Sequence, residues 1–180
     1  LEQFQEALAR QEIIHFSEDE FEEIIYYYLK NNQPQNALDA SLMALQRFPF
    51  SSEFCLTQAD AHVELGDLDA AEALLVDNFK IDKSDIDFYM ILSEVYLLRN
   101  NYEKAILLCK EGLNVCEVDR DILLLHLAEI YDYQGEYREV ISVLEDCLEL
   151  NPENEDALYL YSVTMSILDK VEEKVEYLQS

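Results

Sequence analysis

The chain is poor in the residues that interrupt helices. Its 180 residues hold only three glycines and three prolines, and most of these stand where a turn would. It has no hairpin dipeptide and no run alternating apolar with polar, which removes the β-sheet classes. Basic residues are scarce too: 12 Lys and Arg stand against 39 Asp and Glu, a formal charge of −27. A surface of that sign repels nucleic-acid phosphates and anionic membrane faces, so neither partner is expected. A basic partner is allowed, and solubility alone also accounts for the charge. No apolar run is long enough to span a bilayer. Cys55, Cys109, Cys116 and Cys147 show no C-x-x-C spacing, so free buried thiols in a reducing cytoplasm are expected. Phosphate loops, H-E-x-x-H and nucleophile elbows are missing. His15, His62 and His126 are scattered. His126 and Glu129, three apart on one helix, would make only half of a di-metal site. No catalytic residue, metal or cofactor is therefore expected. The chain begins at Leu1, not Met, as a fragment of a longer protein would; a removed signal peptide or a missing downstream region stays open.

What the chain does have is internal repetition. Half its residues are apolar, enough to fold. Residues 121–152 read as two helices joined by a turn at Gly135 and closed by Asn151-Pro152. The same pattern recurs on both sides. Ala37, Ala71 and Ala105 follow one another at 34 residues, and Val140 comes 35 later. Small Ala59, Ala128 and Ser162 stand where two helices approach closely, and large Tyr28, Tyr96 and Tyr131 recur three residues beyond that small position. A period of this length marks a helical solenoid, because one unit cannot bury its apolar face alone. About eleven helices are expected. Residues 1–17 read as an N-terminal capping helix. Residues 18–180 form the repeats, at about 18–51, 52–85, 86–119, 121–154 and 155–180. Ser17 to Glu20 is a capping box, Pro34 opens a helix, and Asp67 and Ser84 are expected N-caps. Asn78 should end its helix early. The extra residue of the 35-step falls between Gly112 and Leu124. Asn151-Pro152 should start the fifth repeat, with helices over 157–168 and 171–178; Val171, Val175 and Leu178 of the second face inward.

This spacing resembles the tetratricopeptide repeat. Leu124, Ala128, Tyr131, Gly135, Val140 and Pro152 follow the family pattern, as do Phe21, Tyr28, Ala37 and Pro49. The departures are Ile25 at a small position, His62 for Tyr, Val140 for Ala, and no proline ending the second and third repeats. His62 is expected to be buried and hydrogen-bonded. The resemblance implies an all-α, right-handed superhelix whose concave wall, built by the first helix of each repeat, binds peptides or partner proteins. Pentatricopeptide repeats, which bind RNA, have a 35-residue period; here 34 dominates and the charge has the wrong sign.

By that alignment the groove-facing residues include Tyr26, Asp60, Met90, Ile91, Glu94, Leu97, Leu98, Leu125, Glu129, Tyr133, Tyr159, Leu160, Val163 and Ile167, the candidate partner-binding set. His126, Asp132 and Asp156 also fall at groove-facing positions. Asp60, Glu94 and Glu129 share one register, an acidic file with neighbours roughly 10 Å apart, near the ~8 Å Debye length at physiological salt. Apolar neighbours beside acids suit a helix or extended segment carrying both apolar and basic groups. The family's best-known groove clamps acidic chaperone tails with Lys and Asn. The matching positions here hold Glu22, Tyr26, Thr57, Asp87 and Ile91, so such a tail is excluded. The expected function is a non-catalytic interaction scaffold. Alternatives are a homodimer formed through the apolar helix 157–168, or a regulatory arm of an enzyme or transporter. Replacing Ala71 or Ala105 by Leu should cost on the order of 1–3 kcal/mol through overpacking. Chemical denaturation checks this, and a neutral result at both would put the register in error.

Overall fold

The computed structural model describes residues 16–78 and 80–179, with side chains as far as Lys170. The chain divides into two compact units, one up to Asp82 and one from Lys83. The first holds α1 (Glu18–Lys30), α2 (Pro34–Arg47), α3 (Ser52–Glu64) and α4 (Leu68–Asp77). The second holds α5 (Ile86–Leu98), α6 (Tyr102–Val115), α7 (Arg120–Gln134), α8 (Tyr137–Leu150) and α9 (Glu155–Gln179). Among the described residues every regular element is a helix. The capping helix expected over 1–17 lies, up to residue 15, outside the described residues.

Four turns join first and second helices in the same way. Asn32, Gly66, Asn100 and Gly135 adopt left-handed backbone, with φ of 54°, 76°, 58° and 75°. Glycine and asparagine are the residues that tolerate this conformation at a helix end. The next amide in each case donates to a carbonyl five residues back: Gln33 to Tyr28 at 2.9 Å, Asp67 to His62 at 2.9 Å, Asn101 to Tyr96 at 2.8 Å and Glu136 to Tyr131 at 3.0 Å. The side chains of Tyr28, Tyr96 and Tyr131 are buried, so one residue in each of these three repeats both anchors the core and closes the turn. Burying a side chain of that size stabilises by about 1.5–3 kcal/mol.

Caps follow the sequence at several helices. Ser17 and Glu20 form a reciprocal capping box on α1. Pro34 occupies the first turn of α2, and the Asp67 carboxylate accepts the Ala70 amide at 3.3 Å. The helix after Asp67 is short, ending at Asp77. There Asn78 bridges outward, its amide nitrogen 3.2 Å from Cys55 Sγ and its carbonyl oxygen accepting from the Lys80 amide. The segment after it is tied down: Ile81 is buried and the Asp82 amide donates to Ser52 Oγ at 2.9 Å.

Three expectations are corrected. The cap of α5 is Asp85, not Ser84; its carboxylate accepts the Asp87 amide at 3.0 Å, where a negative charge suits a helix N-terminus. Asn151 does not start α9. It caps the end of α8 and donates to Asp121 Oδ2 at 2.8 Å, while Asn154 takes the Ala157 amide. The two helices expected within 155–180 are one continuous α9, because Leu168-Asp169-Lys170 contains no residue that breaks a helix. The inward side chains expected at Val171, Val175 and Leu178 lie outside the described residues. The extra residue of the 35-step is absorbed in the first turn of α7, behind Asp119 in left-handed backbone (φ 53°).

Each core is a set of helix-pair interfaces built on small residues. In the first unit Ala37, Ala40 and Ala44 are fully buried, and Phe16, Phe21, Phe48 and Phe54 meet with ring centroids 5.6–6.3 Å apart. In the second, Ala105, Cys109 and Gly112 bury the inner face of α6. A Cβ on Gly112 would lie 2.7 Å from the side chains of both Leu123 and Tyr89, so those side chains of α7 and α5 pack on the bare backbone of α6. Burial pushes the Cys109 thiol up to about 11, against an ordinary value of 9.0, with a hydrogen bond to Ser93 opposing the shift.

Two outcomes follow. Glycine to alanine inside a helix normally stabilises by about 1 kcal/mol. Gly112→Ala should instead destabilise by about 1–3 kcal/mol, measured by urea denaturation, and a stabilised protein would contradict the close approach. The raised Cys109 pKa means that both states keep the thiol proton below pH 9, and above it only the unfolded state loses it. Stability should therefore fall as pH rises from about 9 to about 11. Cys109→Ala should remove that part of the slope.

Candidate functional site: a cleft between α7 and α9

In the second unit the inner residues of α7 pack the core: Leu123, Leu124, Leu127, Ala128, Ile130 and Tyr131 are all buried. Leu125, Glu129, Asp132 and Tyr133 are left on another face, spaced so that the helical repeat brings them into one stripe. On α9, Asp156, Tyr159 and Leu160 form a matching stripe. These seven residues line a cleft of about 380 Å³, the lower end of the size range for ligand pockets. Leu125 and Leu160 are half-buried, whereas Tyr133 and Tyr159 are 71% and 72% exposed. The lining holds three carboxylates and no basic side chain.

Leu125, Glu129, Tyr133, Tyr159 and Leu160 of the candidate set meet in this cleft. Val163 and Ile167 lie farther along α9, outside its lining. On α5, Ile91 is buried at 8% exposure; Met90, Glu94 and Leu97 are half-buried and Leu98 is exposed. Tyr26 and Asp60 belong to the first unit, where Tyr26 is 65% exposed with Lys30 Nζ 5.6 Å from its ring centroid. Asp132 and Asp156 join the cleft although they share no register with the acidic file. The signal for them was local: Asp132 lies one turn beyond Glu129, and Asp156 opens α9.

His126 does not face the cleft as its register suggested; it is buried against α5. His126 Nε2 lies 2.9 Å from Ser93 Oγ, which is also 2.9 Å from the Met90 carbonyl oxygen. Nδ1 points toward Glu129 Oε2, 3.7 Å away. His62, expected to be buried and hydrogen-bonded, is half-buried with Nδ1 3.7 Å from Asp67. Asp87 is lifted from the ordinary carboxylate value by burial first, then by the charges of Asp85 and Asp119. Among the described residues no group of three His, Cys, Asp or Glu is placed to hold a metal, and no helix is long and apolar enough to cross a membrane.

Residues 56–114 and 123–158 each match the tetratricopeptide repeat. No curated protein matches the chain. Solved structures do. TTC0263, a thermophilic protein of this repeat type from Thermus thermophilus, is 22% identical over 78% of this chain and 77% of its own, with a TM-score of 0.71. MamA is 18% identical over 88% and 86%, with a TM-score of 0.60. YrrB, described as a repeat protein with an unusual peptide-binding site, is 17% identical over 86% and 79%, with a TM-score of 0.54. The repeated left-handed turns, the small-residue interfaces and these matches converge: the chain is an all-α solenoid and belongs to the tetratricopeptide repeat family.

Proposed function

We propose that this chain is a non-catalytic protein-interaction scaffold whose α7/α9 cleft takes a partner segment carrying both apolar and basic side chains. The observation that carries this reading is the cleft's lining: Leu125 and Leu160 offer apolar contact while Glu129, Asp132 and Asp156 surround it with negative charge that no lining cation offsets. Charge of one sign around a partly apolar surface speeds encounter with the opposite sign and rejects like-charged partners. The formal charge of −27 extends the same field over the whole chain. The likeness to YrrB supports peptide binding as the mode of action.

A second reading has its own observation. Leu158, Tyr159, Val163 and Met165 of α9 are exposed together, a surface on which a second copy could dock. Mutual repulsion of two such acidic chains weighs against it. A light-scattering mass that stays monomeric as concentration rises removes it.

Short peptides pairing basic with apolar residues, titrated by fluorescence anisotropy, test the main reading. Binding should weaken steeply between about 50 mM and 500 mM salt. Reversing charge with Glu129→Lys and Asp132→Lys together should cost at least about tenfold in affinity, the equivalent of about 1.4 kcal/mol. Affinity indifferent to both salt and charge reversal would contradict the cleft as the site.

A further inference from the structure

We infer that the cation the cleft selects is a guanidinium, so that the partner segment presents arginine rather than lysine. This rests on the reading above and deepens it. Three features of the lining point the same way. The first is the number and spread of the acids. Glu129 and Asp132 come from α7 and Asp156 from α9, so negative charge approaches from two helices. A guanidinium presents five N–H donors in a fixed plane and can fork onto one carboxylate while reaching another; an ammonium is a compact point charge. The second is the pair of tyrosines. Tyr133 and Tyr159 stand on different helices, and both rings are open to solvent. Guanidinium planes stack on aromatic faces, and arginine makes such contacts more often than lysine. The third is the half-buried Leu125 and Leu160. A cation entering beside them must shed water, and a guanidinium is the more weakly hydrated of the two.

His126 is not part of the cleft's lining. Its ring is buried on the α5 side of α7, so Glu129 remains half exposed to the cleft.

The test compares three short capped peptides on the full chain by calorimetry at low salt. Each has leucine on both sides of a central residue, which is arginine, lysine or the neutral isostere citrulline. The arginine peptide should bind at least about tenfold tighter than the lysine peptide. The citrulline peptide should lose at least as much, which assigns the effect to charge. Tyr159→Leu should pull the arginine peptide down toward the lysine value while the far-ultraviolet dichroism stays unchanged. Lysine binding as tightly as arginine overturns the inference and leaves the proposed function standing. An arginine preference that survives Tyr159→Leu overturns the stacking contact. If none of the three peptides binds, the proposed function fails with the inference.

Discussion

One backbone hydrogen bond organises the chain. After each left-handed residue, the next amide reaches back to the carbonyl of Tyr28, His62, Tyr96 or Tyr131. That bond fixes the direction in which the second helix leaves the first. It also holds the side chain of the accepting residue over the interface, and three of the four are buried tyrosines. A helix pair made this way still has an apolar face with nothing against it, so the next pair must supply the cover. The 34-residue period is the sequence consequence of that requirement.

Covering one face leaves another uncovered. Second helices meet their neighbours through Ala37, Ala71, Ala105 and Val140, all fully buried, and at Gly112 the approach is close enough to exclude even a methyl group. First helices pack inward on one side and keep a second stripe outside the core. Between α7 and α9 those stripes form the acidic, half-apolar cleft. The surface for which a binding role is proposed is thus a by-product of how the core is built. Its chemistry is set by residues that folding leaves free to vary.

The fold was legible because its determinants are local and repeated. The small residues at fixed spacing, the capping box at Ser17, Pro34 and the early stop at Asn78 each act within a few residues of where they are read. Misreadings came where two neighbours competed for one role. Asp85 displaces Ser84 because a carboxylate caps more strongly in the field of the helix end. Asn151 is drawn to Asp121, thirty residues away, and leaves the start of α9 to Asn154. Register alone could not foresee that Ile91 and His126, both at groove-facing positions, would be buried. For His126 the cause is a specific contact with Ser93 on the preceding repeat. Leu125, Glu129 and Tyr133 meet in one cleft because i, i+4, i+8 spacing on α7 is a property of any helix, and Tyr159 and Leu160 join them from α9. The acids that complete it, Asp132 and Asp156, were at facing positions but outside the single file that drew attention.

The most direct test of the account is nuclear magnetic resonance of the isotope-labelled chain during titration with a short arginine-containing peptide at low salt. Amide shifts should concentrate on α7 from Leu125 to Tyr133 and on the first turns of α9, with the buried face of α6 around Gly112 unmoved. Shifts centred on α6 and α8 instead, or spread evenly over the acidic surface, would contradict a working surface made by the first helices.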